Sequence, residues 1–354
     1  MSGQETRQWV LANYPEGEPV IEGENATFKL QTTTLPPPGP EEVLLKALYF
    51  SNDPAQRAWI NTKIEPERLY VPPVQKGEAM RSGAICEVVT SNSDSLKPGQ
   101  LVIDFSLSWS EYLVVPAKAV RPIQTDPSGA IRPTHFMGAL GGTGLTAYYG
   151  LIDIACATAT DTVVVSGAAG ATGSLVVQIA KHIVGCKRVI GIAGGAQKCK
   201  WVESLGADAC VDYRSPSFKQ DLRAATEGYV DVYFDNVGGD ILSLMLTRMK
   251  KFGRVAACGA VSTYNTVGDS GVKNWAEIVS NRIEVRGFIV LDAVEQGKTG
   301  AMIGELVKAA KEGKIQLGPE TETVVPTKFE DVPKTWMMLF NGGNKGKLVT
   351  QLTG

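Results

Sequence analysis

The sequence predicts an α/β fold in which a β-rich region is followed by a parallel, doubly wound sheet of six strands. Three stretches of different texture predict it. Residues 1–137 hold short β-like runs and many prolines, residues 138–313 alternate strand-like and helix-like segments, and residues 314–354 are again β-like. Alternating strands and helices are typical of a parallel sheet with helices on both faces. We therefore expect one domain at 138–313 and a second domain built from 1–137 and 314–354.

The β-rich domain is predicted from apolar runs that are bounded by turn residues. The expected strands are 27–30, 42–48, 84–89 and 101–103 near the start, and 322–326 and 347–350 near the end. The proline-rich segment 36–40 is predicted to be a loop, because proline lacks the N–H that a strand donates to its neighbour. A β segment after the last helix can rejoin the first domain.

The central domain is predicted from its strands and from two apolar helix faces. The expected strands are 162–166, 188–192, 209–212, 230–234, 254–258 and 283–289. The residues that repeat at helical spacing are Leu175, Val176, Ile179, Ala180 and Ile183 in one segment, and Ile303, Leu306, Val307 and Ala310 in another. Such repeats predict amphipathic helices that pack on the sheet.

The composition favours a globular protein that binds a small molecule. The chain has 354 residues, 44% of them hydrophobic, and a formal net charge of -2. It has no basic run that would attract nucleic acid or an anionic membrane surface. No apolar stretch reaches the roughly 20 residues of a membrane span, and no apolar segment follows a basic start as in a secretory signal. We expect a cytoplasmic protein without nucleic-acid or membrane partners.

We expect no metal site. Zinc sites usually draw on closely spaced cysteines or on histidines. The cysteines at 86, 156, 186, 199, 210 and 258 form no Cys-x-x-Cys pair, and the chain has 2 histidines. His182 is expected on the surface of a helix and His135 is expected to pack in a loop.

The first turn of the β/α series carries a glycine motif. Strand 162–166 runs into Gly-Ala-Ala-Gly-Ala-Thr-Gly at 167–173, in which Ala168 takes the place of the first glycine of a G-x-G-x-x-G pattern. Gly170 lets the backbone approach a pyrophosphate, and Gly173 lets the helix pack closely on its strand. The helix N-terminus then offers N–H donors to phosphate. In this position the motif predicts a Rossmann dinucleotide-binding domain.

The second strand of the series indicates which dinucleotide binds. A site for NAD usually has an Asp or Glu at the end of this strand, which accepts hydrogen bonds from the ribose. This strand ends at 191–195 without an acid, and Lys198 follows it. A lysine attracts the 2′-phosphate that a carboxylate would repel, so we expect NADPH. Lys200 is a second candidate, Tyr213 is placed to cover the adenosine, and an ordinary solvated role for Lys198 stays open.

Three further segments resemble the zinc-independent medium-chain dehydrogenase/reductases. They are 168–174, the run Phe-Asp-Asn-Val-Gly-Gly at 234–239, and Met-Lys-Lys-Phe-Gly-Arg-Val-Ala-Ala-Cys-Gly-Ala-Val-Ser-Thr-Tyr-Asn at 249–265. Matching runs at 7–11, 144–148 and 344–347 extend the resemblance over nearly the whole chain. Within the family the pattern is most similar to prostaglandin reductase (leukotriene B4 12-hydroxydehydrogenase) and the plant alkenal double-bond reductases.

The resemblance implies a GroES-like catalytic domain at 1–137 and 314–354, a Rossmann NADPH-binding domain at 138–313, and a homodimer joined through the Rossmann sheets. It also implies the residues that contact the cofactor. They are Gly170, Ala171, Thr172 and Gly173 at the pyrophosphate, Gly194, Lys198 and Tyr213 at the adenosine phosphate end, and Asn236, Cys258, Gly259, Ala260, Ser262, Thr263, Tyr264, Phe288, Ile289, Val290 and Asn344 along the rest of the cofactor.

The family's activity is reduction of the C=C bond of α,β-unsaturated aldehydes and ketones. Hydride is delivered to the β-carbon, charge develops on the carbonyl oxygen, and the α-carbon takes a proton. Such chemistry needs no metal where hydrogen-bond donors face the developing enolate oxygen. The resemblance makes Tyr264 the candidate catalytic residue, as a proton donor or as an orienter of the substrate. A structural tyrosine that closes a loop on the cofactor is the alternative.

One departure from the family pattern concerns the substrate pocket. The family's Asp-Pro-Tyr-Met-Arg is here Asp-Pro-Ala-Gln-Arg at 53–57. Asp53, Ala55 and Arg57 are therefore expected at the pocket. Because the tyrosine at position 55 is replaced, the pocket is expected to lose a wall and a hydroxyl and to accept a bulkier or differently shaped substrate.

Three functions stay open from the sequence. The first is NADPH-dependent reduction of an enone or enal, for instance a biosynthetic intermediate. The second is carbonyl or quinone reduction, or zinc-free alcohol dehydrogenation, on the same scaffold. The third is a non-enzymatic NADPH-binding protein, since a fold does not fix a function. The first is favoured because the 258–265 segment is retained.

Overall fold

The computed structural model describes residues 3–124, 129–268 and 271–353. The strands in these ranges are β1 Gln4–Leu11, β2 Phe28–Leu35, β3 Glu42–Ser51, β4 Arg81–Ser91, β5 Leu101–Ser108, β6 Tyr112–Pro116, β7 Arg121–Pro122, β8 Thr162–Ser166, β9 Arg188–Ala193, β10 Ala209–Asp212, β11 Val230–Asp235, β12 Met249–Ala257, β13 Glu284–Gly287, β14 Glu322–Thr327 and β15 Lys347–Leu352. The α-helices are α1 Gly142–Tyr149, α2 Ala171–Gln178, α3 Ala196–Ser204, α4 Phe218–Ala225, α5 Gly239–Leu246, α6 Ala276–Asn281, α7 Leu291–Glu295, α8 Thr299–Lys311 and α9 Val332–Met337.

The chain divides into two compact units. The first unit contains Met1–Met137, Thr323–Gly343 and Leu348–Gly354, and the second unit contains Gly138–Glu322 and Asn344–Lys347. The boundary differs from the expected one at residue 314, because residues 314–322 and 344–347 stay with the second unit. Packing explains the first of these segments: Ile315 is buried, and the N–H of Gln316 donates to Gln178 Oε1 at 2.7 Å.

The first unit is β-rich, as predicted. Its main sheet has the strand order β14-β15-β3-β4-β5-β7, with β6 paired to β3, and β1 and β2 form a separate antiparallel pair. The predicted strands are present, and several extend beyond the apolar runs that indicated them. At the core, Phe28, Trp109 and Trp336 contact one another edge to face, with ring centroids 5.1 to 5.8 Å apart.

The second unit is a Rossmann domain. Its sheet has the order β10-β9-β8-β11-β12-β13, and neighbouring strands are parallel. The chain moves outward from β8 in one direction and then from β11 in the other. In such sheets ligands bind beyond the carboxyl ends of the strands at this switch point. The segments that follow β8 and β11 are therefore the ones that matter for function.

The two predicted helices are present. Leu175, Val176, Ile179 and Ala180 of the first helix are buried, as predicted, whereas the buried face of the second helix is shifted. The segment that starts with α2 continues as a π-helical turn over Ile179–Val184, and all of its residues from 173 to 180 are buried. It is covered all round and has no single apolar stripe. In α8 the buried residues are Met302, Leu306 and Ala309, one position away from much of the predicted stripe. None of the described helices combines the length and apolar character that crossing a bilayer requires.

Candidate active site

The glycine turn between β8 and α2 is built for close backbone packing. Gly167 has a φ of +58°, which favours glycine. A Cβ on Gly173 would lie 2.3 Å from the carbonyl oxygen of Gly167, so only glycine fits at position 173. Ala168 is tolerated at the first glycine position because it packs on β9 beside Gly191, which has no side chain; a Cβ at Gly191 would lie 3.1 Å from the Ala168 methyl.

The start of α2 has the properties of a phosphate site. Gly170 is the N-cap with extended backbone, and among the described residues no side chain caps the helix. The first-turn N–H groups that follow at Ala171, Thr172 and Gly173 point toward the helix start, as at known anion sites. The predicted pyrophosphate residues are therefore brought together at one end of one helix.

The segment 344–347 lies against this turn. The N–H of Gly346 donates to the carbonyl of Ala169 at 2.9 Å, and the side-chain amide of Asn344 donates to the carbonyl of Gly346 at 2.9 Å. Asn344 is thus held beside the glycine turn although it is more than 170 residues away in the sequence. Its contact with the cofactor, which the resemblance implies, stays a prediction.

The adenosine end combines a glycine, an aromatic ring and two cations. A Cβ on Gly194 would lie 2.8 Å from the ring of Tyr213, so the ring covers the end of β9. Lys198 is half-buried in the first turn of α3. Arg214, which the sequence reasoning missed, lies over the Tyr213 ring with its Cζ 5.9 Å from the centroid. Lys200 is exposed.

The two cations at this end influence each other. Burial lowers the pKa of Lys198, and the positive charge of Arg214 lowers this pKa further. Asp212 precedes Tyr213 and Arg214 in the chain, and its Oδ1 accepts from the N–H groups of Gly195 at 2.7 Å and Arg214 at 2.9 Å. This end of the unit is therefore basic, which suits a phosphate.

At the switch point, β11 continues directly into the site. The side-chain amide of Asn236 donates to the carbonyl of Ser166 at 2.7 Å, and its N–H donates to Ser166 Oγ at 2.9 Å. Asn236 therefore ties the end of β11 to the end of β8, beside the glycine turn. The main-chain carbonyl of Asp235 accepts from the N–H groups of Cys258 and Gly259, which places the end of β12 in the same cluster.

A cleft of about 660 Å³ opens in the second unit beyond these strand ends. Its lining is largely apolar. The lining residues are Asp235, Gly238, Gly239, Leu242, Ala257, Cys258, Gly259, Ala260, Thr263, Tyr264, Val272, Gly287, Phe288, Ile289 and Asp292. Five of the predicted cofactor residues between 258 and 264 are within this set.

Tyr264 is held on the wall of the cleft. Its hydroxyl oxygen accepts from the N–H of Ala260 at 3.3 Å, and Thr263 Oγ1 donates to the carbonyl of Ala260 at 2.9 Å. Ser262 is exposed, and its Oγ donates to the carbonyl of Val237 at 2.6 Å. These bonds fix the 258–264 loop on the turn after β11.

Cys258 lies in the cleft as a neutral thiol. Burial raises its pKa to about 12, and the carboxylate of Asp235 adds to the shift. The thiolate is the reactive form of cysteine, so this residue is not an activated nucleophile. Its role in the site is to form a small apolar part of the wall.

The 288–290 segment contributes unequally. Phe288 is buried against Tyr149 and Phe234, with ring centroids 5.9 and 6.0 Å away, and one side of it reaches the cleft together with Ile289. Val290 is the N-cap of α7 and is not among the lining residues. The predicted strand 283–289 ends at Gly287, because Phe288 turns inward to the aromatic cluster.

The predicted pocket residues Asp53, Ala55 and Arg57 belong to the first unit. Asp53 is the N-cap of the short 3-10 helix Pro54–Ile60, and Ala55 is half-buried in it. Arg57 is buried, and its guanidinium donates to the carbonyls of Pro15 at 3.0 Å and Gly17 at 2.8 Å. These bonds tie Arg57 to the N-terminal segment, and the expected place of Asp53, Ala55 and Arg57 at a substrate pocket stays a prediction.

The thiols and histidines form no metal-ligand cluster in the described residues. The cysteines are all free, and four of them lie in the second unit away from the cleft. His182 is exposed on its helix, as expected. His135 is buried, and burial together with Arg132 lowers its pKa to about 4, so it packs as a neutral imidazole.

The sheet order and the glycine turn define a Rossmann domain, and comparison with known proteins shows that the protein is an oxidoreductase. Residues 7–123 match the family described as N-terminal domain of oxidoreductase, and residues 171–307 match the family described as zinc-binding dehydrogenase. The chain belongs to the medium-chain dehydrogenase/reductases, in the zinc-independent branch that its sequence resembles.

Named relatives agree with this assignment over the full chain. The NADPH-dependent curcumin reductase of Escherichia coli is 34% identical over 99% of this chain and 98% of its own, and prostaglandin reductase 1 of Bos taurus is 34% identical over 98% of both. The crystal structure of CurA in complex with NADPH from Vibrio vulnificus superposes with a TM-score of 0.86 at 32% identity, covering 98% of this chain and 99% of that one.

Proposed function

We propose that the protein is an NADPH-dependent ene-reductase that reduces the C=C bond of an α,β-unsaturated ketone or aldehyde. The observation that carries the proposal is the largely apolar cleft at the switch point, which has the Tyr264 hydroxyl on its wall. The cleft lies next to the end of β11, where Asn236 is bonded to Ser166 beside the glycine turn. The relatives named as reductases of curcumin and of prostaglandin support it.

The cofactor is NADP(H), and the residues of the second unit fit it. Gly170 to Gly173 at the start of α2 would hold the pyrophosphate, and Lys198 with Tyr213 would hold the adenosine phosphate end. The 258–264 loop and Asn344 would contact the rest. When bound, NADPH supplies the hydride for the reduction.

The chain's own side chains have two tasks in this reaction. The Tyr264 hydroxyl donates a hydrogen bond to the substrate carbonyl oxygen, where negative charge develops. The apolar wall, which includes Leu242, Cys258 and Ile289, excludes water so that this hydrogen bond acts in a low local dielectric. A thiol with a pKa of about 12 at Cys258 also resists alkylation by an electrophilic alkene.

Product analysis tests the proposal. Purified protein with NADPH and a simple enone is expected to give the saturated ketone, identified by chromatography and mass spectrometry. Tyr264→Phe is expected to lower kcat by about a hundredfold to a thousandfold, the scale of one lost hydrogen-bond donor to a developing oxyanion. Tyr229→Phe, at an exposed tyrosine of the same unit, is the matched control and is expected to leave kcat unchanged.

Other products would point to the alternatives. Recovery of the allylic alcohol would replace ene-reduction by carbonyl reduction, and turnover with quinones alone would favour a quinone reductase. Binding of NADPH without turnover of enones, enals or quinones would leave a binding protein. Full activity of Tyr264→Phe would show that the tyrosine hydroxyl is not needed for catalysis, and the proposed reaction itself would stand.

We further propose that the protein is a homodimer joined through the Rossmann sheets. We also propose that it is located in the cytoplasm. Strand β13 pairs with β12 on one side, and all of its residues are exposed. Trp275 and Val279, in the segment before β13, are 68% and 70% exposed, and Val285 in the strand is 45% exposed. An open edge strand with exposed apolar residues is typical of a surface that a second copy covers. Free thiols suit a reducing compartment.

A further inference from the structure

Asp235 is a buried carboxylate at the centre of the switch point, and it has no part in the proposed mechanism. It is the last residue of β11 and is 2% exposed. Its Oδ1 accepts four hydrogen bonds. The donors are Tyr233 Oη at 2.7 Å, Ser166 Oγ at 3.0 Å, and the N–H groups of Val237 and Gly238, each at 3.0 Å.

The second carboxylate oxygen is free of protein donors. Oδ2 accepts no hydrogen bond from the described residues, and among them no lysine or arginine pairs with the group. Asp235 nevertheless lines the cleft. Four donors on Oδ1 fix the direction in which Oδ2 points.

We propose that Asp235 tunes the redox balance of the bound cofactor. Its negative charge, presented to the cleft through Oδ2, stabilises the oxidised, cationic nicotinamide relative to the reduced one. This inference rests on the proposed function in one respect only, namely that the nicotinamide occupies this cleft.

The physical argument is one of charge. The nicotinamide ring of NADP+ carries a positive charge that NADPH lacks, so a fixed carboxylate close to the ring favours the oxidised form. The field of Asp235 does reach the cleft wall, because this carboxylate contributes to the raised pKa of the Cys258 thiol. Asp292 also lines the cleft, but it is exposed on α7 and is screened by solvent. Asp235 therefore makes the bound cofactor a stronger hydride donor.

The test compares the affinities of the two redox forms without any substrate. Asp235→Asn keeps an oxygen for the four donors and removes the charge. It is expected to raise the Kd of NADP+ by about tenfold more than the Kd of NADPH, a scale appropriate to a unit charge acting over several ångströms in a protein interior. Both constants are measured by calorimetry or by quenching of tryptophan fluorescence.

Asp212→Asn is the matched control. Asp212 also ends a parallel strand and accepts two main-chain N–H groups, but at the adenosine end. It is expected to change both constants by the same factor. Tyr233→Phe removes one donor to Asp235 and keeps the charge, so its ratio of constants is expected to equal that of the wild type.

Each outcome decides the matter. If Asp235→Asn folds and its ratio of the NADP+ Kd to the NADPH Kd equals that of the wild type, the proposal is overturned, even if the wild type reduces enones. A raised ratio supports the proposal, even if no enone is reduced. Should the Asn variant not fold, Asp235→Ser provides a smaller uncharged side chain that retains an acceptor. Loss of the fold in both variants would assign Asp235 to stability alone and would also overturn the proposal.

Discussion

At the scale of single residues, two cations lie at the predicted adenosine end of the cofactor site. Lys198 is half-buried in α3, and Arg214 is held over Tyr213. Lys198→Ala is expected to raise the Kd of NADPH by roughly 10- to 100-fold, the scale of a lost charge-assisted hydrogen bond. The Kd of NADH, which has no 2′-phosphate, is expected to change little. Equal effects on both nucleotides would reject Lys198 as the phosphate ligand.

Arg214 is expected to make a smaller contribution of the same kind. Because its side chain is more exposed than that of Lys198, Arg214→Ala is expected to raise the Kd of NADPH by a few-fold and to lessen its dependence on salt. Arg223→Ala, at an exposed arginine on α4 of the same unit, is the control and is expected to have no effect. Titrations at low and high salt check both variants.

The lowered pKa of Lys198 predicts a pH dependence. As the proposed phosphate ligand the lysine must be a cation, and burial and Arg214 place its pKa below the ordinary value of 10.5. NADPH affinity is therefore full at neutral pH and is lost as the pH rises through this lowered pKa, whereas NADH affinity stays constant. Arg214→Ala removes one cause of the shift, so the loss of NADPH affinity is expected to move to higher pH. A loss at the same pH in the variant would contradict the coupling.

The residues that the sequence identified and those it missed differ in what marks them. Lys198, Gly170 and Tyr264 stand in linear motifs, so their positions follow from neighbours in the chain. Asp235 also lies in a motif, but its proposed role depends on the hydrogen bonds that Ser166, Tyr233 and the following turn donate to its Oδ1. Such a convergence is a property of the folded sheet. The bonds of Arg57 were not predicted for the same reason, since Pro15 and Gly17 lie 42 and 40 residues away in the chain.

At the scale of elements, the glycine turn is the feature most sensitive to substitution. A Cβ on Gly173 would meet backbone atoms of Gly167 and Ala168 at 2.3 to 2.9 Å, and backbone cannot move aside cheaply. Gly173→Ala is expected to cost about 1–3 kcal/mol of unfolding free energy and to abolish tight NADPH binding, because α2 must shift from β8. Urea unfolding and nucleotide titration measure the two effects.

Gly304→Ala supplies the contrast for this experiment. Gly304 lies in α8, where a Cβ would meet nothing within 4 Å. The same exchange is expected to stabilise the protein by about 0.5–1 kcal/mol, because alanine is the better helix former. If both variants lose the same stability, close packing at Gly173 is not the cause.

The type of each element, helix or strand, was predictable because each type has its own spacing of apolar residues. The end residues and the buried faces of the elements were less predictable. The strands of the Rossmann domain were predicted within a few residues, since parallel strands buried on both faces give continuous apolar runs. The face of α8 was predicted about one position off, because Ile303 and Met302 are both apolar and only packing selects between them. The end of β13 depends on Phe288 finding Tyr149 and Phe234, which no local pattern records.

At the scale of the whole molecule, the open edge of the Rossmann sheet predicts an assembly. Two copies related by a two-fold axis can pair their β13 strands and extend the six-stranded sheet across the interface, each copy presenting the same surface. Val279→Lys with Val285→Lys is expected to convert the dimer to a monomer, because two charges on each copy would be buried without partners. Light scattering after size exclusion gives the mass, and circular dichroism verifies the fold.

The control for this prediction lies in the other unit. Val20 is about as exposed as Val285 but belongs to the first unit, so Val20→Lys is expected to leave the mass of the assembly unchanged. A wild-type protein of monomeric mass would contradict the dimer outright, and a double variant that stays dimeric would place the interface elsewhere. Because the cofactor residues lie at the carboxyl ends of the strands and β13 lies at the sheet edge, a monomeric variant is expected to keep its affinity for NADPH. Loss of affinity on dissociation would instead mean that the second copy supports the cleft through the segment that joins β13 to α7.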